Sequence, residues 1–348
     1  MWYLDYYDYD SYLNSSPTNM PGWETHPVPR SAWHANHSGI AMGKLMGRDV
    51  PFKILPPLEP GWQHKHRLVA VSQSDTFSLG LCSCGKVFID GFLEWRDYER
   101  KCEMVDWEDV VAIAAGPDTI LALSKDGRVL APGYRSDAPV SSWRDVVQLS
   151  AGESAMLGLR KDGTVLASGN DFVECEVRNW HDIVQVSAGD KYVLGVRGDG
   201  IVAYADIGYD EYAVDVSGWT DIVQVSAGPY HAAGLRRDGT VVVAECAMYW
   251  EFFDDVECLD VSGWTDIKQV CAGNAFTVAL RADGWMLTAI STGVFEGLRT
   301  ESPREAVAIS LNRHYEGNDE VLALDIHGHA VRELLFYEEL PWDNWDEE

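Results

Sequence analysis

Short apolar runs bounded by glycine recur along the chain, with a polar pair between them. Residues 216–244, VSGWTDIVQVSAGPYHAAGLRRDGTVVVA, show the unit most clearly: DIVQVSAG, then AAGLRR, then Asp238-Gly239, then TVVVA. β-branched runs of this length flanked by glycine are strand signals, and Asp-Gly between two of them is the signature of a two-residue type I′ hairpin turn. VLGVRG and TVALRA repeat the second run in other copies. The repeating region reads as strand and turn, with no helical pattern in the unit.

The spacing of the markers turns this pattern into a ruler. Trp107, Trp143, Trp180, Trp219 and Trp264 are each followed 20 residues later by the Gly of an Asp-Gly pair, at 127, 163, 200, 239 and 284. Degenerate copies flank these five, one with Trp62 and Cys84-Gly85 and one near Pro303 with His327-Gly328, which makes seven. From each Gly to the next Trp the distance instead runs 22, 16, 17, 19 and 25, starting from Gly85. One half of the unit is fixed in length and the other is free. Periods of this size built from several strands are the mark of propeller blades, each needing neighbours to bury its two apolar faces.

The units W-x-D-[IV]-x-x-[VIL]-x-A-G, an apolar strand ending in Leu or Val, D-G and a valine-rich strand resemble the regulator of chromosome condensation repeats, in their divergent bacterial form. The resemblance spans roughly residues 62–336 and implies an all-β, seven-bladed β-propeller. It also implies a ring closed by a blade built from both chain ends, so that residues 50–55 or the neighbouring segment would supply a strand to the last blade. The family commonly has His three residues after the Ala-Gly. Only His231 keeps it, with Thr119, Ala155, Tyr192 and Phe276 at the matching places, which argues for a packing position. The expected organisation is an irregular extension over 1–60, a propeller over 61–337 and an acidic tail over 338–348.

Composition narrows the partners. Lys and Arg number 27 against 55 Asp and Glu, a formal net charge of -28, which repels nucleic-acid phosphates and anionic membranes. The first ten residues, MWYLDYYDYD, carry three Asp and no apolar run, so neither a signal peptide nor a membrane helix is expected and the default location is cytoplasmic. The seven cysteines, an odd set without a CxxC pair, read as reduced. His34 with His37 and His64 with His66 lack the Cys or helical frame of a metal site, and no phosphate loop, nucleophile elbow or Cys-His arrangement stands out. The expectation is therefore a non-enzyme with no cofactor and no metal.

In an antiparallel blade the turn after Ala-Gly and the end of the valine-rich strand share one face, and Asp-Gly lies on the other. The variable segments thus begin on the Ala-Gly face, where a fixed frame carries differing residues. Its sharpest stretch is AECAMYWEFFDDVECLD at 244–260, with Tyr249, Trp250, Phe252, Phe253 and Asp254 and no Lys or Arg between Arg237 and Lys268. Aromatics give contact area at low entropy cost, and the carboxylates select a basic partner. Tyr134, Asp190, Tyr209, Tyr212, Tyr230 and Phe276 complete the candidate partner-binding set. The expected function is a monomeric, non-catalytic module that binds another protein of basic or apolar surface. Two alternatives follow from the same features: exchange-factor-like regulation of a small GTPase, which the resemblance implies, and a carbohydrate-binding or carbohydrate-cleaving propeller, since sugars stack on Trp and Tyr.

Overall fold

The computed structural model describes residues 42–45, 48–51, 68–74, 77–91, 104, 107–117, 119–132, 139–153, 155–206, 208, 210–246, 259–273, 276–290, 306–311, 319–325 and 330–335. All lie in the unit Ser38–Glu348. Their strands form seven sheets, one per sequence repeat and antiparallel but for one pair, and the protein is a seven-bladed propeller. Blade I consists of Leu68–Gln73, Phe77–Cys82 and Val87–Gly91, and blade II of Val110–Gly116, Thr119–Ser124 and Val129–Leu130. Blade III is Val146–Ala151, Ala155–Arg160 and Val165–Gly169, and blade IV is Ile183–Ala188, Tyr192–Arg197 and Val202–Asp206. Blade V is Ile222–Ala227, His231–Arg236 and Val241–Glu245, and blade VI is Ile267–Ala272, Phe276–Arg281 and Met286–Ile290. Blade VII begins with Ala306–Leu311, Asp319–Asp325 and Ala330–Leu335.

Blade VII has five strands rather than three. Met42–Leu45 pairs in parallel with Ala330–Leu335, with Gly43 opposite Ala330, and Arg48–Pro51 adds an antiparallel strand outside it. The strand that joins the C-terminal sheet directly is thus Met42–Leu45, while Val50 and Pro51 stand at the outer edge.

Six apolar clusters fill the spaces between blades, and together they cover every seam. Phe77, Leu79, Trp107 and Val110 pack between blades I and II, and Leu121, Leu123, Trp143 and Val146 between II and III. The ring closes where Leu68, Cys82 and Phe88 of blade I meet Leu322 and Leu324 of blade VII. The repeated Trp has a local reason to be there. A Cβ on Gly158, Gly195 or Gly234 would lie 2.7 Å from the ring of Trp143, Trp180 or Trp219, so the indole lies flat on a middle strand stripped to the backbone.

The fixed half of the repeat is explained by the Asp-Gly face. Gly127, Gly163, Gly200 and Gly239 adopt φ between 80° and 83° while the Asp before each does not. The loop is therefore not the two-residue type I′ turn expected but a three-residue one closed by a left-handed Gly, with Gly163 N donating to Arg160 O and Arg160 N to Thr164 O. Each Gly carbonyl accepts from the first strand of the next blade. Val146 N to Gly127 O is 3.1 Å, and Ile183 N to Gly163 O is 3.0 Å. The Asp of W-x-D, at 109, 145, 182, 221 and 266, is itself left-handed at φ 55° to 60°, a conformation Asp tolerates better than most residues. Within a blade Trp143 packs on Gly158 and Asp145 O accepts from Lys161 N at 3.0 Å, so the 20 residues from Trp to Gly tolerate no insertion, whereas the contact of Gly127 with Asp145 and Val146 joins consecutive blades across the segment whose length varies.

Candidate interaction face

Strand register settles which loops share a face. In blade III Met156 is opposite Ala151 and Ala155 is opposite Gly169; in blade V Ala232 is opposite Ala227 and His231 is opposite Glu245. The Ala-Gly turns and the ends of the third strands therefore lie together, away from the Asp-Gly turns.

The rim of this face is built from backbone. A Cβ on Gly152 would lie 2.1 Å from the carbonyl oxygen of Gly189, and one on Gly228 would lie 2.5 Å from that of Gly273. Only glycine allows neighbouring blades to approach this closely. Just inside the rim, hydroxyls of the first strands accept from the backbone of the next blade. Ala115 N donates to Ser72 Oγ at 2.9 Å, Ala188 N to Ser150 Oγ at 2.9 Å, Ala227 N to Ser187 Oγ at 3.0 Å, Ala272 N to Ser226 Oγ at 2.9 Å and Gln73 N to Ser310 Oγ at 3.0 Å. One residue pair further along, glutamine amides clasp the next blade through both atoms. Gln185 Oε1 accepts from Val225 N at 2.9 Å while its Nε2 donates to Val225 O at 3.1 Å, and Gln148, Gln224 and Gln269 do the same to Val186, Val270 and Ile309. These strands enclose a cavity of about 180 Å³ lined by Ser72, Gln73, Pro117, Ser150, Ser226 and Ser310.

The candidate partner-binding residues divide into three groups. Tyr134, Tyr209, Tyr249, Trp250, Phe252, Phe253 and Asp254 lie outside the described residues. Tyr212 ends the 3-10 turn Asp210–Tyr212, half-buried against the cluster that joins blades IV to VI. Asp190, Tyr230 and Phe276 are sealed in the interior at 2%, 7% and 1% exposure. The expectation that these three meet a partner is corrected by that burial, because a side chain without surface has none to offer. The turns after Ala-Gly fold inward at these points and plug the spaces between blades.

The position of His231 belongs to the same plug. Thr119, Ala155, Tyr192, His231 and Phe276 are all buried, and His231 Nε2 hydrogen-bonds Thr277 Oγ1 of blade VI at 2.8 Å. Blade IV fills the place with Tyr192, stacked on Tyr204 at 5.8 Å between ring centroids. On the rim, half-buried Lys191 of blade IV pairs with exposed Glu153 of blade III at 3.0 Å.

The stem of the long aromatic loop is described although its tip is not. Cys246 N donates to Tyr230 O at 2.9 Å, and Glu245 Oε1 accepts from Leu259 N at 3.0 Å. Cys246, Leu259 and Val261 are buried in the blade V cluster. The chain thus leaves the Ala-Gly face at Glu245 and returns beside it at Leu259.

Among the described residues no group of three or more His, Cys, Asp or Glu could hold a metal ion, and no helix is long and apolar enough to cross a membrane. Cys82, Cys84, Cys246 and Cys271 form no disulfide, and burial pushes the Cys82 thiol up to about 11, which leaves it protonated at neutral pH.

No protein-family model matches the chain, and no curated protein matches it by sequence. Solved structures do. Prp20p of Saccharomyces cerevisiae, from a crystal structure described with its binding to Gsp1p and histones, superposes with a TM-score of 0.51 at 14% identity, covering 78% of this chain and 83% of its own. Yeast RCC1 (Prp20) in a structure with bound Kap60 gives 0.50 at 16% identity over 70% and 78%. The CRINKLY WD40 ectodomain of the Arabidopsis thaliana receptor kinase ACR4 gives 0.50 at 16% identity over 74% and 89%. The fold is that of an RCC1-like propeller.

Proposed function

We propose that the protein is a non-catalytic interaction module that grips a partner protein with the Ala-Gly face, through the loop borne on blade V. The observation that carries this reading is the pinched stem. Glu245 Oε1 accepts from Leu259 N at 3.0 Å, so the two ends of the aromatic and acidic stretch are held together on the Ala-Gly face of blade V. Tyr249, Trp250, Phe252 and Phe253 supply contact area, and Glu251, Asp254, Asp255 and Glu257 favour a basic partner, as does the net charge of -28. The RCC1-like neighbours support a protein partner, since Prp20p is described as binding Gsp1p and histones. The face bears no arrangement of acid, base and nucleophile in its described part.

The test is affinity purification of the full chain from its native cells, followed by titration of the recovered protein against purified wild type and Trp250→Ala/Phe252→Ala. A specific protein bound by the wild type and lost with the double variant is the expected result. Equal binding by both would move the site elsewhere, and recovery of a glycan instead of a protein would end this reading.

A further inference from the structure

Blade I breaks the repeat at its turn. Where blades II to VI carry Asp before the glycine, at 126, 162, 199, 238 and 283, blade I carries Cys84, and the residue two before it is Cys82. The turn itself is intact. Gly85 N donates to Cys82 O at 2.9 Å, Cys82 N donates to Lys86 O at 2.8 Å, and Gly85 takes the left-handed φ of 81°. A turn of this build brings the side chains of its first and third residues together. In blade II Ser124 Oγ donates to Asp126 Oδ1 at 2.5 Å, in blade IV Arg197 pairs with Asp199 at 3.1 Å, and in blade VI Arg281 Nε donates to Asp283 Oδ1 at 2.9 Å. In blade I the same two places hold two thiols, and Cys84 N donates to Cys82 Sγ at 3.5 Å.

The surroundings give the two sulfurs different roles. Cys84 is exposed, as is Ser83 beside it. Cys82 is 1% exposed, packed with Leu68 and Phe88 against Leu322 and Leu324 of blade VII in the cluster that closes the ring, and burial keeps its thiol protonated. An oxidant from solvent therefore meets Cys84 first, with Cys82 behind it. The turn gives no reason for a thiol at 84. Aspartate serves that place better, since its carboxylate accepts from the turn backbone, as Asp162 does from Thr164 N at 3.0 Å. Residues two apart in a tight turn also fall within the roughly 4.4–6.8 Å between Cα atoms that a disulfide spans.

We propose that Cys82 and Cys84 are a redox-active pair that exchanges with low-molecular-weight disulfides of the glutathione type, closing a disulfide across the turn of blade I. Cys84 Sγ, as the thiolate, attacks one sulfur of the small disulfide. That S–S bond breaks, and the displaced thiolate takes a proton from solvent in place of the one Cys84 gave up. Cys82 then loses its proton to solvent and attacks Cys84 Sγ, which breaks the mixed disulfide and releases the second small thiol. The pair is oxidised by two electrons, and the small disulfide is reduced to two thiols. The site lies on the Asp-Gly face and is independent of the loop on blade V.

The test is to hold the reduced full chain with oxidised glutathione, block the remaining thiols with iodoacetamide under denaturing conditions and digest with trypsin. Both cysteines fall in peptide 68–86, which contains no other. Wild type should yield this peptide two hydrogens lighter and without alkylation. Cys84→Ser should leave Cys82 reduced, its thiol reacting at least about tenfold more slowly than the wild-type pair closes. Cys82→Ser should stop at the mixed disulfide, with one glutathione on Cys84. If that variant fails to fold, Cys82→Val, which refills the apolar cluster, must give the same adduct. A wild type that keeps both thiols, one that stops at the mixed disulfide, or Cys82 joined to a cysteine outside the peptide would overturn the proposal. So would Cys84→Ser taking up glutathione at Cys82 as fast as the wild type reacts.

Discussion

Across the four seams from blade III round to blade VII, Gln148, Gln185, Gln224 and Gln269 each reach over and hold a peptide group of the next blade by both its N–H and its C=O. Across the three seams from blade VII through I and II to III, Ala308, Ala70 and Ala112 stand in those places. The contrast is sharpest between blades II and III, where Ala114 also replaces the serine and the seam rests on the cluster around Leu121, Leu123 and Trp143. Apolar clusters fill the seams of both arcs, so burial makes the ring and the amides add directional contacts in one arc only. Two hydrogen bonds at about 0.5–1.5 kcal/mol each give a clasped seam an advantage of about 1–3 kcal/mol.

The largest test of that contrast is steric. Gly152→Ala, whose Cβ would meet the Gly189 carbonyl in the clasped arc, should cost about 3 kcal/mol or more in denaturant unfolding. Gly116→Ala in the open arc meets nothing closer than the Ala151 Cβ at 3.2 Å and should cost less than about 1 kcal/mol. Equal costs would mean that both arcs yield alike. Gln224→Ala comes next, leaving Val270 N and O without their partner, and about 2 kcal/mol should be lost in the same measurement. Building the missing contact is a smaller effect in the other direction. Ala114→Ser places a hydroxyl where Ser150 and Ser187 have theirs and should raise stability by about 1 kcal/mol.

The smallest expected effect is acid sensitivity, which should not distinguish the arcs. In the turns of blades II, III and V the side-chain hydroxyls of Ser124, Thr164 and Thr240 hold Asp126, Asp162 and Asp238 below the usual carboxylate range, and in blade VI Arg281 holds Asp283 down to about 2. A carboxyl lowered on folding stabilises above its unfolded value and loses that contribution as pH falls through the folded value. Stability should therefore decline between about pH 4 and pH 2, and Asp283→Asn should flatten that decline in thermal unfolding followed against pH.

Much of this architecture was legible in the chain. The constant 20-residue step from Trp to Gly counts blades, because the Trp and Asp at the start of the first strand are fixed on the middle strand and turn of the same blade. The clasps were hidden. Gln224 and Val270 are 46 residues apart but Gln148 and Val186 only 38, since the connections between blades vary, and no fixed spacing links the partners. Within one blade the glutamine and serine look like polar positions of an ordinary strand, and only the repetition of V-Q-x-S-A hints that they are held. Val147 and Val184 were misleading for the opposite reason, since an apolar residue in a strand reads as core until a β-bulge turns it outward, here to 53% and 57% exposure. Asp190, Tyr230 and Phe276 were misread because a turn between strands was equated with exposure, whereas these turns fold into the seams.

The parallel pairing of Met42–Leu45 with Ala330–Leu335 ties the propeller to its own synthesis. About 285 residues separate the two strands, so at about 5–20 residues per second the first waits some 15–60 s for its mate to leave the ribosome. Blades I to VI can stack in order during that time, each neighbour covering the last. The edge of the growing stack stays open until the final sheet arrives, and translation rather than diffusion sets when the disk becomes whole.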